Sequence, residues 1–352
     1  MCPTPPVHKL LIKCPNWVGD LVAATGALRC LRHRFADAHI SLLLKPSLAP
    51  LLEDAPWFDA IVPYDRAAAT PNQRRDMLRQ LRLARFDMAV LLTHGISGAW
   101  FLWRAGIPRR LGLSKRSFGL FLTDHVSLRK LRAGRPYVSK VEVYSALCAL
   151  AGCGDASDLR PELRVGGELQ RRADEALEAA GARPERALVA VAPGASYGPS
   201  KLWPAERFGA VASGLMQDPG CDVVLLTSPA EAEIAQAVTR AMPRPPIQLP
   251  PSTGGLAMLK AIVRRASLLV GNDSGPRHVA IAFGVPVVTI MGPTDPRVTE
   301  SPYEKGVVLR HEAPCGPCYL RECPRDHACM NSVTVDEVLR AARRFIAPPR
   351  RG

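Results

Sequence analysis

Four residues of types that bind phosphate or move protons stand where an apolar stretch ends, in "LLVGNDSGPRHVAIAFG". Asp273 and Ser274 follow a predicted strand, Gly275 opens a predicted helix, and His278 falls on its first turn. Free N–H groups and the dipole of a helix start attract phosphate, and a glycine lets the backbone approach it closely. An ordinary helix cap, with Asp273 or Ser274 satisfying the turn, explains the same residues.

A second glycine-rich turn, "VAPGASYGPSKLWP", repeats this arrangement. Gly194 lies at the predicted strand end, and Lys201 precedes a helix predicted to begin near residue 203 or 204. Such a loop with one lysine neutralises a phosphate in many proteins. It is not a Walker loop, because the ending G-K-[ST] is absent. A plain strand-to-helix turn with an exposed lysine is the alternative.

Near the start of the chain, "KCPNWVGDLVAATGAL" places Asp20 at another strand-to-helix turn. Aspartate is common at helix starts, so a structural role alone explains it. A carboxylate facing a phosphate site is also suited to removing the proton of an attacking hydroxyl. Both interpretations stay open on this segment.

Four cysteines are crowded into "PCGPCYLRECPRDHACM" with the spacing C-x2-C-x4-C-x5-C: Cys315, Cys318, Cys323 and Cys329. Four thiolates this close are able to form a structural zinc or iron site, and free thiols are the alternative. The other six are scattered, often inside apolar runs, where a reduced thiol is a small buried hydrophobe: Cys2, Cys14, Cys30, Cys148, Cys153 and Cys221.

Strand-like apolar runs alternate with amphipathic stretches in two series along the 352 residues. The first runs from "KLLIKCP" to "FDMAVLLT" and includes a helix predicted over about 72–85; the second runs from "ALVAVAPG" to "VPVVTIMG". A polar stretch rich in Gly and Pro, about 152–186, separates them. We expect an α/β protein of two doubly wound, Rossmann-like domains, residues 1–165 and 166–333, whose facing strand ends form one cleft.

The net charge of +14 indicates an anionic partner. Between residues 104 and 140 there are ten Lys or Arg and one acid, Asp124, which suggests a docking face for phosphates, anionic lipid or nucleic acid. A solvated surface is the alternative. No apolar run approaches the roughly 20 residues of a membrane span, and the start lacks a signal-peptide core, so we expect a cytoplasmic protein.

Five segments, in order, resemble glycosyltransferase family 9, the heptosyltransferases of lipopolysaccharide core synthesis: "NWVGDLVAATGALRCLR", "PGASYGPSKLWPAERF", "GNDSGPRHVAIAFGVPVV", "GPTDPRVT" and "PCGPCYLRECP". The resemblance covers nearly the whole chain. It implies a GT-B fold with an acceptor-binding domain first and a nucleotide-sugar domain second. It also implies that the final helix, within residues 334–352, returns to the N-terminal domain.

The implied reaction is transfer of heptose, with inversion, from ADP-L-glycero-D-manno-heptose to the heptose-Kdo-lipid A acceptor. Asp20 matches the family's proposed base, and Lys201 matches the lysine that holds the donor phosphates. Other matches for the donor are Gly194, Glu231 (or Glu233) at the ribose, and Asp273, Ser274, Gly275 and His278 of the motif D-[ST]-G-x-x-H. Asn16 and Trp17 are expected to flank the acceptor or donor sugar, and the basic stretch is expected to contribute Arg109, Arg110, Lys115 and Arg116 to acceptor binding. Arg277 departs from the motif by adding a charge beside the phosphate site.

The resemblance further implies no catalytic metal, so the cysteine cluster would be structural. It places the protein at the cytoplasmic face of the inner membrane, in peripheral contact with anionic lipid and with no nucleic acid. Three alternatives stay open. The first is another family 9 glycosyltransferase with a different sugar or acceptor, and the second is a nucleotide-sugar epimerase of similar fold. The third is a nucleic-acid-binding protein, which predicts steeply salt-dependent DNA binding.

Overall fold

The computed structural model describes residues 6–93, 95–114, 116–154, 156–217, 221–250 and 253–346, without the side chains of 116–118. The chain divides into two compact units: an N-terminal unit, Met1–Glu162, and a C-terminal unit, Leu163–Gly352. Each unit contains one parallel β-sheet.

The N-terminal unit is built on a six-stranded sheet with the order β3-β2-β1-β4-β5-β6. Its strands are β1 (Lys9–Lys13), β2 (His39–Leu44), β3 (Ala60–Pro63), β4 (Met88–Leu91), β5 (Arg109–Ser114) and β6 (Asp124–Ser127). Its α-helices are α1 (Val18–Arg34), α2 (Pro71–Ala84), α3 (Ile96–Arg104), α4 (Leu128–Arg132) and α5 (Lys140–Leu150). Two 3-10 turns, Pro46–Leu51 and Arg116–Phe121, complete it.

The C-terminal unit has a five-stranded sheet with the order β11-β10-β9-β7-β8. Its strands are β7 (Ala187–Ala192), β8 (Cys221–Leu225), β9 (Leu268–Asn272), β10 (Val287–Ile290) and β11 (Gly306–Leu309). Its α-helices are α6 (Gly167–Ala179), α7 (Ala205–Gln217), α8 (Ala232–Arg240), α9 (Gly255–Arg265), α10 (Gly275–Phe283), α11 (Pro296–Thr299), α12 (Ala328–Asn331) and α13 (Val335–Arg343). Pro199–Lys201 and Pro229–Glu231 are 3-10 turns.

The central strands of both sheets have continuous apolar stretches because helices cover them on both faces. Leu10, Leu11 and Ile12 of β1 are fully buried, as are Leu269 and Val270 of β9. Such continuous apolar runs are typical of parallel sheets and explain why the sequence pattern identified these strands.

Each sheet has one point at which its strand order reverses. In the N-terminal unit the chain moves outward from β1 through β2 to β3 and then returns to place β4 on the other side of β1. In the C-terminal unit the same reversal separates β7 from β9. The loops that leave the carboxyl ends of such a strand pair diverge, and the crevice between them is the usual ligand site of an open α/β sheet.

The basic stretch 104–140 is not a single surface. It contains two sheet strands, β5 and β6, and the short helix α4. The sequence pattern did not reveal these strands because their charged ends interrupt the apolar run, as in "RRLGLS". Arg129 and Lys130 on α4 are exposed, whereas Arg109 and Arg110 are half-buried.

The return of the final helix to the N-terminal domain stays a prediction, and within the C-terminal unit this helix, α13, has clear packing partners. It lies against α7, β10 and β11. Its buried residues Val338, Ala341 and Ala342 belong to the hydrophobic core formed by β7, β9 and α7. Residues 347–352, which end the expected segment, lie outside the described part of the chain.

Among the described residues, every helix is too short or too polar to traverse a lipid bilayer.

Candidate functional site

The phosphate-binding candidates of the C-terminal unit meet at the carboxyl edge of its sheet. Lys201 ends the turn that follows β7, and Asp273 follows β9 directly, so the two residues flank the point at which the strand order reverses. The Lys201 ammonium forms an ion pair with the Asp273 carboxylate and lies 3.3 Å from the Asp273 main-chain oxygen. The fold thus brings together two predicted donor-binding residues that are 72 positions apart in the sequence.

The Asp273 carboxylate is the centre of a buried ion network. Its side chain is 3% exposed and accepts hydrogen bonds from Arg277 at 2.8 Å and from the Thr294 hydroxyl at 3.3 Å, besides the Lys201 contact. Burial would raise the pKa of Asp273, but the charges of Lys201 and Arg277 outweigh it and hold that pKa well below its usual range. Asp273 is therefore an ionised anchor for two cations, unsuited to accept a proton.

Arg277 is not the free charge that the sequence suggested beside the phosphate site. Its side chain is 1% exposed, and its guanidinium donates to both carboxylate oxygens of Glu304, at 2.9 and 2.7 Å, and to the Thr299 hydroxyl at 3.1 Å. It also donates a hydrogen bond to the Asp273 carboxylate. The carboxylates of Asp273 and Glu304 thus neutralise Arg277. Asp273 also pairs with Lys201, whose side chain is 11% exposed and stays within reach of a ligand.

The start of α10 lies beside this network and lacks a side-chain cap. Ser274 is the N-cap residue, yet its hydroxyl is buried and has no hydrogen-bond partner among the described residues. Gly275 begins the helix, and His278 on its first turn is close enough for its charge to help lower the pKa of Asp273, after burial and the two cations. The ordinary cap does not form, so the first N–H groups and the Ser274 hydroxyl are left for an anionic ligand.

Gly194 and Glu231 are in contact at the same edge of the sheet. A β-carbon on Gly194 would lie 1.9 Å from Glu231 Oε1, so a larger residue does not fit while Glu231 keeps its place. Ser228 holds Glu231 there, because its backbone N–H and hydroxyl donate to Oε2 at 2.8 and 2.9 Å. Glu231 is thus the acid that the fold brings to this loop, whereas Glu233 lies on the first turn of α8.

The cysteine-rich segment, residues 315–329, packs against the loop that carries Lys201 and is hydrogen-bonded to it. The hydroxyls of Tyr197 and Ser200 each donate to a main-chain oxygen of this segment at 2.6 Å. Gly198 has a φ of +155°, and a β-carbon there would meet the Arg321 main-chain oxygen at 2.5 Å. The segment and the loop are therefore packed backbone to backbone, and the position of Lys201 depends on both.

The four cysteines of that segment lie near one another, but their sulfur atoms are not close enough to bind one metal ion together. Burial, followed by the neighbouring thiols of Cys315, Cys318 and Cys323, raises the pKa of Cys329. Across the described ranges, however, no three of these four sulfurs lie within 4.8 Å of one another. Four cysteine sulfurs are suitable ligands for a soft metal ion. In this structure, however, the distances between them are longer than in a site where all four bind one ion.

In the N-terminal unit, Asp20 lies on the first turn of α1 and is held by α5. The Lys140 ammonium forms an ion pair with Asp20 Oδ1, and the buried Tyr144 donates its hydroxyl to the Asp20 main-chain oxygen at 3.2 Å. The Asp20 side chain is 31% exposed, so a substrate hydroxyl has access to it. Lys140 begins α5 at a capping box, which fixes where its side chain starts.

Asn16 lines a cavity of about 400 Å³ at the point where the strand order of the N-terminal sheet reverses. Three basic side chains share the lining: Lys13 at the end of β1, Arg66 after β3, and Arg74 on α2. Burial, together with repulsion from Arg66, lowers the pKa of Lys13. A cavity with this lining is suited to an anionic group, because the anion relieves the repulsion among the three cations.

Trp17, which follows Asn16 in the sequence, is the N-cap residue of α1 and is 48% exposed. A large aromatic residue this exposed is available to stack on a sugar ring. Its position therefore fits the predicted contact with a sugar, which stays a prediction.

Of the basic residues predicted to hold the acceptor, the two with described side chains, Arg109 and Arg110, do not line this cavity. Arg109 and Arg110 begin β5, at the amino edge of the sheet, whereas Asn16 follows the carboxyl end of β1. The Arg110 guanidinium is occupied by three main-chain oxygens, and Arg109 lies 3.5 Å from Asp124. Lys115 and the side chain of Arg116 lie outside the described residues.

Sequence reasoning missed Lys140 as the partner of Asp20, and Lys13, Arg66 and Arg74 as cavity residues. It placed Arg277 beside the phosphate site but missed its pairing with Asp273. For Arg277 a signal was present, because an arginine four residues after an aspartate on one helix lies on the same face as that aspartate. Lys140 is 120 positions from Asp20 and had no local signal.

Comparison with known proteins gives a consistent assignment. The model of a family described as glycosyltransferase family 9 (heptosyltransferase) matches residues 74–329. Lipopolysaccharide heptosyltransferase 2 of Escherichia coli K12 is 29% identical over 311 residues, covering 86% of this chain and 88% of the relative. Lipooligosaccharide heptosyltransferase 2 of Haemophilus influenzae is 26% identical over 312 residues, with the same two coverages.

Two solved structures have similar folds along nearly their whole length. A family 9 glycosyltransferase from Veillonella parvula gives a TM-score of 0.83 at 23% identity and covers 97% of this chain and 98% of its own. The ADP-heptose lipopolysaccharide heptosyltransferase II of E. coli gives 0.76 at 26% identity, covering 96% and 98%. The expected GT-B class, with two parallel-sheet α/β domains, is confirmed. The chain belongs to glycosyltransferase family 9, the heptosyltransferase family.

Proposed function

We propose that this glycosyltransferase moves heptose from ADP-L-glycero-D-manno-heptose to the heptose-Kdo-lipid A acceptor, in synthesis of the lipopolysaccharide inner core. The observation that carries the proposal is the pairing of Lys201 with an uncapped helix start at the strand-order reversal of the C-terminal unit. This is the arrangement a nucleotide diphosphate requires. The heptose and the acceptor are inferred from the names of the heptosyltransferase 2 relatives.

The donor's diphosphate would lie against Lys201, the first N–H groups of α10 and the Ser274 hydroxyl, each of which stabilises the negative charge that grows on ADP as it departs. Lys201 then exchanges part of its contact with Asp273 for the phosphate. Arg277 keeps Asp273 charged and in place while this happens, because it stays bonded to the same carboxylate. Glu231, fixed beside Gly194, would accept from the ribose hydroxyls.

Asp20 would act as the general base in a single displacement. As the acceptor oxygen bonds to the anomeric carbon, its proton passes to the Asp20 carboxylate, and the bond from that carbon to the phosphate oxygen breaks with its electron pair leaving on ADP. One displacement inverts the anomeric configuration. Lys140 holds Oδ1 of Asp20 and is a positioning residue in this scheme.

Transfer is distinguished from epimerisation by the fate of labelled sugar. Purified protein incubated with ADP-heptose carrying radiolabelled heptose and a heptose-Kdo-lipid A acceptor is expected to move the label into the lipid phase. Label that stays in water as an isomerised nucleotide sugar would instead support the epimerase alternative, which family membership disfavours.

The cavity lined by Lys13, Arg66 and Arg74 would hold an anionic group of the acceptor. Arg66→Ala is expected to raise the acceptor KM by about 10-fold or more, since a charge-assisted hydrogen bond contributes about 1.5–3 kcal/mol. The dissociation constant of ADP-heptose, measured by calorimetry, is expected to stay unchanged. Arg79→Ala, on the exposed side of α2, is the matched control. An unchanged acceptor KM in Arg66→Ala would remove the cavity from the acceptor site.

A mixed apolar and basic surface on the N-terminal unit supports peripheral contact with anionic lipid. Trp103 on α3 is 48% exposed and Leu120 on the adjoining 3-10 turn is 78% exposed, with exposed Arg104 beside them. Replacing both apolar residues by serine is expected to reduce co-sedimentation with vesicles containing anionic lipid, whereas Leu83→Ser is not. Binding that is equal on neutral vesicles, or unaffected by salt, would contradict the proposed contact.

A structural zinc or iron ion at Cys315, Cys318, Cys323 and Cys329 stays a prediction. Bound there, the ion would draw the four thiolates together and stiffen the segment that braces the Lys201 loop. Catalysis as proposed involves only Asp20, Lys201 and the start of α10 and does not pass through this metal.

A further inference from the structure

Three cysteines far apart in sequence meet inside the N-terminal unit, although each alone resembled a small buried hydrophobe. Cys30 lies near the end of α1, Cys148 near the end of α5, and Cys153 three residues beyond that helix. Their sulfur atoms all lie within 4.8 Å of one another. Within the described ranges this is the one group of three or more potential metal-ligating side chains at that spacing.

The backbone holds the three thiols together. The helices α1 and α5 pack side by side, so the last turns of both deliver Cys30 and Cys148 to the same place. A turn then folds Cys153 back, with its N–H donating to the Cys148 main-chain oxygen at 3.0 Å and with Gly152 at a φ of +80°. The site is therefore built by tertiary packing and a turn, and requires no large movement to form.

Protonation within the group is unequal. A hydrogen bond from the Cys148 thiol, aided by Cys30 and by the charge of Arg34, lowers the pKa of Cys153 to about 7 despite its burial. Burial, with the neighbouring Cys153, raises the pKa of Cys30 to about 11. Cys153 is therefore the first of the three thiols to ionise, and the thiolate is the form that binds a metal.

We propose that Cys30, Cys148 and Cys153 bind one soft, thiophilic metal ion, of the class that includes Zn²⁺, as a three-sulfur site. Sulfurs bound to Zn²⁺ at about 2.3 Å lie about 4 Å apart, within the spacing observed. Binding releases the two remaining thiol protons, so the three thiolates balance the ion with one negative charge to spare. Cys30 and Cys153 are partly exposed, which gives an ion and a completing water access.

The position of the site suggests what the ion does. The same two helices carry Asp20 and Lys140 at their opposite ends, about 10 residues or roughly 15 Å along α1. An ion bound by the three thiols would link α1 to α5 without contacting Asp20 or Lys140. It is a structural clamp, distinct from the segment 315–329 in the other unit, and it does not depend on the identity of the sugar transferred.

Alkylation of the wild-type full-length chain tests the site without any substitution. Reduced, metal-free protein is treated with iodoacetamide with and without one or two equivalents of Zn²⁺, and peptide mass spectrometry follows each cysteine separately. Zn²⁺ is expected to slow modification of Cys30 and Cys153 together by 10-fold or more. Equal rates with and without Zn²⁺ would overturn the proposal.

A matched pair of variants then locates the ion. Cys153→Ser is expected to bind one Zn²⁺ fewer than the wild type and to lose the protection of Cys30, while any protection of Cys315–Cys329 persists. Cys221→Ser, which removes a buried cysteine outside the group, is expected to bind as many ions as the wild type. Equal zinc content in the two variants would contradict the assignment, and Cys30→Ser serves should Cys153→Ser fail to fold.

Discussion

Asp20→Asn is expected to lower kcat for heptose transfer by about 10²- to 10⁴-fold, the usual contribution of a general base. Asparagine keeps the shape of the side chain but cannot accept the proton of the acceptor hydroxyl. The dissociation constant of ADP-heptose is expected to be unchanged, because the residues predicted to bind the donor belong to the other unit. Steady-state kinetics and calorimetry on the same preparation separate the two quantities.

Two further variants sharpen this prediction. Asp76→Asn makes the same chemical change on the exposed side of α2 and is expected to retain full activity. Lys140→Met removes the partner of Asp20 but leaves its carboxylate, so we expect a smaller loss of kcat and an altered pH profile of the rate. Full activity in Asp20→Asn would require a different base.

Arg277→Met is expected to destabilise the protein by about 3–5 kcal/mol, the usual cost of breaking a buried ion network from one side. The substitution leaves the buried Asp273 carboxylate with Lys201 as its cation and removes the Arg277 partner of the partly buried Glu304. Urea unfolding followed by circular dichroism measures the loss. Arg171→Met, which removes two exposed ion pairs on α6, is expected to unfold like the wild type.

The pH dependence of this effect has a defined sign. Since the pKa of Asp273 is lowered by folding, its stabilising contribution is complete above about pH 4, the ordinary range for aspartate, and is lost as the pH falls below it. The stability difference between wild type and Asp273→Asn is expected to shrink over that acidic range. A difference that instead grew on acidification would contradict an ionised Asp273.

The fold class was predictable because its parallel strands are buried on both faces and are therefore apolar runs. "KLLIK" and "LLVGN" are both sheet strands next to the point where the strand order reverses. β5 escaped prediction since it opens with two arginines, whose polar ends are satisfied by backbone oxygens and Asp124. That pairing also explains why the basic stretch was misread as one surface.

The candidate donor residues were predictable because they sit in short segments with recognisable spacing. Their partners were not, because ion pairs such as Asp20–Lys140 and Arg277–Glu304 join positions that only the folded chain brings together. The same applies to the three thiols of Cys30, Cys148 and Cys153, which carry no spacing signal. By contrast, Cys315, Cys318, Cys323 and Cys329 have a recognisable sequence spacing, but their sulfur atoms lie farther apart than those of Cys30, Cys148 and Cys153.

The central claim, that this chain adds heptose to a heptose-bearing inner-core acceptor, is tested most directly by mass spectrometry of the acceptor itself. Heptose-Kdo-lipid A incubated with ADP-heptose and the protein is expected to gain the mass of one heptose, and Kdo-lipid A lacking the first heptose is expected to stay unchanged. An unaltered mass for the heptose-bearing acceptor, with protein that binds ADP-heptose normally, would contradict the account.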